Sequence, residues 1–146
     1  MVLPASMRLK GHKSFELIHR SGNRFHGSCM VLKVVEADPK LLRAQNKKIK
    51  DKAPRCAVAI SSKVSKNAVI RNRMRRLFHE HLRLRLETAH SQANRWALIS
   101  LKPNSSEKKP SCLIEECDKL LHNSGLLSWL PLKRKFFTRV AQQRVI

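Results

Sequence analysis

The chain has 146 residues, 31 of them Lys or Arg against 10 Asp or Glu, which gives a formal charge of +21. That length suits one domain with a modest core, and 42 % hydrophobic residues exclude wholesale disorder. The apolar runs fall far short of the about 18 residues of a membrane-spanning helix, so a membrane-inserted chain is excluded. So much uncompensated positive charge on a compact body calls for a polyanion, and nucleic acid is the usual one. Aromatic residues make up only 5 %, with no Tyr, which disfavours a platform that stacks many bases.

In chain order, Met1–Ser6 lacks the apolar core of a secretory signal. Residues 7–21 predict a short helix from Phe15, Leu17, Ile18 and His19, broken by Ser21-Gly22-Asn23. Cys29–Val35 is rich in β-branched residues and predicts a strand. Residues 36–54 are polar, lysine-rich and bounded by prolines, and predict a solvated insertion. Arg55–Ser61 predicts a second strand, with Cys56, Val58 and Ile60 on one face and Ala57, Ala59 and Ser61 on the other. Small side chains there leave room for a packed helix or for a ligand strand. Trp96–Leu101 predicts a third strand. A helix follows from Ser111 to about His122, with Leu113, Ile114, Cys117, Leu120 and Leu121 on its apolar side and Ser124-Gly125 as its stop. The expected division is a domain over 1–123, carrying the basic insertion 36–54, and a basic C-terminal extension over 124–146.

The four cysteines, at 29, 56, 112 and 117, form no Cys-x-x-Cys. They predict buried free thiols in a reducing, cytoplasmic setting rather than a zinc site.

Residues 67–86 contain no Gly or Pro and are rich in Arg and Leu, good helix formers. At about 100° per residue, Ile70, Met74, Leu77, His81 and Leu84 fall on one stripe, with Phe78 at its edge. Asn72, Arg75, Arg76, His79 and Arg83 fall on the far side, and Arg71 and Arg73 flank the stripe. A solvated helix face balances its charges with carboxylates one turn away. Here only Glu80 and Glu87 stand against six arginines from Arg71 to Arg85. An anionic partner accounts for that imbalance, and the planar guanidinium fork suits phosphate.

Arg71-Asn72-Arg73-Met74-Arg75-Arg76-Leu77 resembles the Arg-Asn-Arg motif of the protein subunit of bacterial ribonuclease P. Ala57–Val69 is similar to the strand and turn that lead into that motif helix. Arg8-Leu9-Lys10 with Phe15 resembles the family's opening, and Trp96–Pro103 its last strand. The match runs in order over residues 7–123. The resemblance implies an α+β sandwich in the order α-β-β-β-α-β-α, a small mixed sheet with helices, and a left-handed β-α-β crossover around the motif helix. A fourth strand is then expected within Ser21–Gly27 or 36–54.

The resemblance also implies that an RNA subunit, using Mg²⁺, removes the 5′ leader of precursor tRNA while the protein assists, one copy per RNA. Carried over, Arg71, Asn72, Arg73, Arg75 and Arg76 contact the catalytic RNA. Phe15, His19, Lys33 and Lys63 meet the leader in a cleft between the first helix and the sheet. His19 and Lys33 stand where many members carry aromatics, so the leader is expected to be held with less stacking.

No catalytic residue and no metal ligand set is expected in the protein. The acidic cluster Glu115, Glu116 and Asp118 splits to different helix faces, and His79-Glu80-His81 lacks the spacing of a metalloprotease helix. His81, on the apolar stripe, is expected to be a satisfied core histidine. A ribosomal protein or basic RNA chaperone is the alternative reading. A DNA-binding protein ranks below it, for want of a helix-turn-helix or zinc-finger spacing.

Overall fold

A computed structural model describes residues 3–38, 54–87 and 94–126. Most of the expected insertion, 39–53, and all of the extension beyond 126 lie outside the described residues. Helix α1 spans His12–Ser21, strands β1 and β2 span Asn23–His26 and Met30–Glu36, and β3 spans Arg55–Ala59. Helix α2 spans Ala68–Leu86, β4 spans Arg95–Leu101, and α3 spans Pro110–Asn123. The order α-β-β-β-α-β-α is the expected one. The fourth strand is β1, within Ser21–Gly27.

The sheet order is β1-β2-β4-β3. β2 pairs antiparallel with both β1 and β4, whereas β3 pairs parallel with β4, so α2 is the crossover between two parallel neighbours. The period of two sorts the strands' side chains between two faces. Met30, Leu32 and Val34, Cys56 and Val58, and Ala97, Ile99 and Leu101 share one buried cluster with α2 and α3. On the reverse face, α1 covers only one end: Ile18 and Leu9 bury Trp96 and Leu98, with Phe15, Leu17, Val35 and Ala57 packed around them.

Helix α2 starts on Asn67, whose side chain accepts from the Val69 backbone N–H at 2.9 Å, a standard N-cap. Its buried side is rotated from the expected stripe. Phe78 is fully buried and central, Met74 and Leu82 flank it one turn away, and Ile70 is 41 % exposed. The helix has two neighbours, so it buries two stripes. Met74, Phe78 and Leu82 join the sheet-side cluster, while Leu77 and Leu84 pack with Ile114 of α3.

Two polar contacts fix α3. His81 on α2 lies buried with Nε2 2.7 Å from Asp118 Oδ1, and Arg85 Nε lies 3.4 Å from the same oxygen. His81 is therefore the core histidine that its position implied, paired through Nε2, while its Nδ1 is buried without a hydrogen-bond partner among the described residues. At the other side of α3, the Glu116 carboxylate accepts from the Ser28 backbone N–H and hydroxyl and from the Cys29 backbone N–H and thiol. A Cβ at Gly27 would come within 2.5 Å of Glu116 Oε1, so a side chain there would push this carboxylate off the β1–β2 turn. α3 ends as expected: Gly125 takes φ +80°, Leu126 N–H bonds Leu121 O at 3.1 Å, and Gly125 N–H bonds His122 O at 3.0 Å. This is a Schellman closure, with Leu121 and Leu126 both in the core.

Cys29, Cys56 and Cys117 are buried and free as expected, but Cys112 is exposed. Cys112 falls on the solvent side of α3, five residues from Cys117 and so nearly half a turn away. Burial, with Glu116 bonded to it, pushes the Cys29 thiol up to about 12, and burial alone pushes Cys56 to about 12. Both thiols stay protonated.

Asp118→Ala leaves His81 and Arg85 without their shared acceptor in the interior. Removing one partner from a buried pair costs about 3–5 kcal/mol. Urea unfolding of this variant is expected to show a loss of that order, whereas Glu115→Ala, at an exposed position of the same helix, changes stability by less than about 0.5 kcal/mol.

Candidate nucleic-acid interface

The seating of α2 decides which arginines reach solvent. Asn72, Arg73 and Arg76 are exposed, while Arg71 and Arg75 are half-buried. Arg71 donates to Ser65 O at 2.7 Å and ties the first turn of the helix to the β3–α2 loop. Arg75 donates to Asn72 Oδ1 at 2.9 Å, so these two side chains stand as a coupled pair on the ridge. The C-terminal half differs. Arg83 lies 3.7 Å from Glu87, and Arg85 is drawn to Asp118. The N-terminal half of α2, where the motif lies, carries no carboxylate of its own before Glu80. Val69 and Ile70, exposed beside it, add an apolar margin. His79 is half-buried, and burial followed by Arg75 and Arg8 holds its imidazole below the ordinary histidine value.

The reverse face of the sheet carries the second group of residues. Pairing and alternation place Arg24, Lys33, Leu98 and Ala57 in one row across the four strands, and His26, Val31, Ser100 and Ala59 in the next. α1 covers Leu98 and Ala57 but leaves the other row and the Arg24–Lys33 end uncovered. The small face of β3 is divided: Ala57 packs under α1, the packed helix expected there, while Ala59 is exposed in an open strip. Phe15 is half-buried and His19 exposed, one turn apart on α1 beside this strip. Lys33 Nζ lies 2.9 Å from His19 Nδ1. Lys63 is exposed in the turn after β3, which Val64 N–H closes onto Ser61 O at 3.0 Å.

The expected residues therefore fall into two groups in different layers: the motif residues on α2, and Phe15, His19 and Lys33 across the sheet. Arg24 escaped the sequence analysis because Asn23–His26 holds one apolar residue, too few to signal a strand. The polar alternation into Gly27-Ser28 was the available sign.

No group of three His, Cys, Asp or Glu is placed to hold a metal ion among the described residues. Of the carboxylates, Glu116 is bonded to Ser28 and Cys29, Asp118 to His81, and Glu16 lies 3.0 Å from His12. Burial pushes the Glu116 carboxyl up, but its hydrogen bonds from Cys29 and Ser28 outweigh that and hold it below the ordinary value.

A model of the Ribonuclease P family matches residues 3–125. The chain belongs to the ribonuclease P protein family. It is 60 % identical over 128 residues to the ribonuclease P protein component of Prochlorococcus marinus (strain MIT 9303), covering 88 % of this chain and 100 % of that one. It is 56 % identical over 126 residues to the protein component of Parasynechococcus marenigrum (strain WH8102), covering 86 % and 98 %. The fold is that of the RNase P protein of Staphylococcus aureus, with a TM-score of 0.64 at 17 % identity over 84 % of this chain and 98 % of the other. The RNase P protein of Thermotoga maritima, solved in complex with a fluorophenyl thiourea, superposes with a TM-score of 0.60 at 17 % identity, covering 78 % and 96 %. The family match takes in both the motif helix and the open strip.

Burial, then Lys33 and Arg24, hold His19 below the ordinary 6.5. In a proton NMR titration, His19 is expected to titrate below that value, and Lys33→Met to raise its midpoint while leaving that of His79 in place. The sign follows from charge: a nearby ammonium disfavours the imidazolium, and removing it restores proton affinity.

Proposed function

We propose that the chain serves as the protein component of ribonuclease P, supporting removal of the 5′ leader from precursor tRNA in the cytoplasm. On this reading the hydrolysis is performed by a catalytic RNA with Mg²⁺, one protein copy joins each RNA, and the protein contributes binding. Arg71, Asn72, Arg73, Arg75 and Arg76 seat α2 on the catalytic RNA. Phe15, His19, Lys33 and Lys63 line the place of the leader.

The observation that carries this reading is the division along α2. Its C-terminal arginines lie near carboxylates, Arg83 by Glu87 and Arg85 by Asp118, whereas the motif end has no carboxylate on the helix before Glu80 and sets Asn72, Arg73 and Arg76 toward solvent, where guanidinium groups suit a phosphate backbone. The motif residues are also held in place from behind. Asn67 caps the helix, Arg71 is tied to Ser65, and the Phe78 stripe anchors the helix on the sheet, so the ridge is preorganised for a rigid RNA surface.

The protein alone is expected not to cleave precursor tRNA, and to stimulate cleavage when combined with its cognate RNA and Mg²⁺ at moderate salt. Steady cleavage by rigorously RNA-free protein would overturn the auxiliary role.

Arg73→Ala with Arg76→Ala is expected to weaken binding to the catalytic RNA. Each lost phosphate contact should flatten the log–log salt slope by roughly 0.7–0.9. The corresponding double Lys variant should recover only part of the affinity, because a point charge lacks the bidentate fork. Equal affinity in all three proteins, with unfolding unchanged, would return this face to ordinary solvated surface.

A further inference from the structure

Arg24 and Lys33 are directly opposite each other on β1 and β2, and both alternate to the sheet face beside α1. Like charges in that position destabilise a strand pair. No carboxylate among the described residues relieves them. Glu36, three residues along β2 from Lys33, falls on the opposite face by the strand period, and Glu16 on α1 is taken by His12 at 3.0 Å. His26, in the next row, and His19, against Lys33, supply no negative charge.

An ammonium only donates hydrogen bonds, so the 2.9 Å contact makes His19 Nδ1 the acceptor and places the ring proton on Nε2. The imidazole therefore uses its lone pair to hold Lys33. Burial, then Arg24, hold the Lys33 ammonium below its ordinary value.

We propose that Arg24 and Lys33, with His19 as the residue that positions Lys33, form a seat for one backbone phosphate of a single-stranded RNA lying along the open strip of the sheet. This rests on the reading of that strip as the place of the leader, and it deepens it: the leader is gripped there through its backbone rather than by a base stacked on His19. The guanidinium supplies a fork of two donors and the oriented ammonium a third, directed from adjacent strands. Val31, Ser100 and Ala59 lie in one row across the strip, with Ala59 exposed and two of the three side chains small. Recognition of this kind is indifferent to the base at that position.

The test uses the protein reconstituted with its catalytic RNA and compares precursor tRNAs bearing an ordinary leader, no leader, an abasic leader nucleotide, or a single neutral methylphosphonate linkage, each modification moved along the leader. We expect the abasic substitutions to leave the preference for leader-bearing tRNA nearly unchanged. One methylphosphonate position should cut it by about tenfold, the scale of a charge-assisted contact. In R24Q/K33Q the preference should fall by a similar factor, and that linkage should have no further effect. His19→Gln, whose amide oxygen can accept from Lys33, should retain the preference, whereas His19→Phe, which keeps a stacking ring but has no acceptor, should lose it. A preference that survives in R24Q/K33Q and under every methylphosphonate, or one that His19→Phe preserves and abasic substitution abolishes, overturns the phosphate seat while leaving the strip as the leader's place. Absence of any leader preference in the wild-type complex overturns the leader assignment itself, and the seat with it.

Discussion

Met74, Phe78 and Leu82 follow one another at single-turn intervals along α2 and share a buried cluster with the strand residues Val58, Ile99 and Leu32. A fully buried phenylalanine in such a stripe is worth about 3–5 kcal/mol against alanine, more than any surface ion pair of this helix can contribute. Apolar burial therefore sets the rotation of α2, and the arginines take the directions that remain. Because β3 and β4 are parallel, the helix joining them must run back along the sheet, which fixes its axis as well. The basic ridge is thus a consequence of how the helix is packed.

Charge is then sorted along that fixed helix. Where α2 meets α3, the Asp118 carboxylate stands between His81 and Arg85, so Arg85 faces a carboxylate inside the protein. Toward the motif end the helix extends past its neighbours, as the exposure of Val69 and Ile70 shows, and it carries no carboxylate of its own before Glu80. A chain with a net charge of +21 concentrates its unbalanced cations where a rigid helix can present them. The buried pair with Asp118 gives the same helix a register against α3, since sliding by one residue would strand charges in the interior.

The sheet separates two surfaces with different demands. The face toward α2 and α3 is filled by large apolar side chains. The reverse face is only half covered, because α1 is ten residues long and shields Trp96 and Leu98 but not Val31 and Ser100. Small residues on β3 and cations on β1 and β2 occupy what remains. Glu116, bonded to the β1–β2 turn, holds the outer strand in place and with it Arg24.

Composition and local pattern were enough to establish a basic, nucleic-acid-binding domain, three of the four strands, the motif helix and the C-terminal helix with its glycine stop. Each of these depends on interactions within a few residues: helix propensity, strand alternation, and the freedom of Gly125 at positive φ. The Arg-Asn-Arg motif and its flanking segments carried the resemblance that the family match bears out. Tertiary structure decided the rest. β1 has one apolar residue in four and exists because β2 pairs with it, and the buried side of α2 shifted to Phe78 because two elements, not one, pack against it. The company of Arg24, Lys33 and His19 was decided in the same way, since strand register and the placement of α1 bring together residues that no sequence spacing marks as neighbours. Short-range preferences are written residue by residue, whereas contacts between elements follow from the joint burial of all of them.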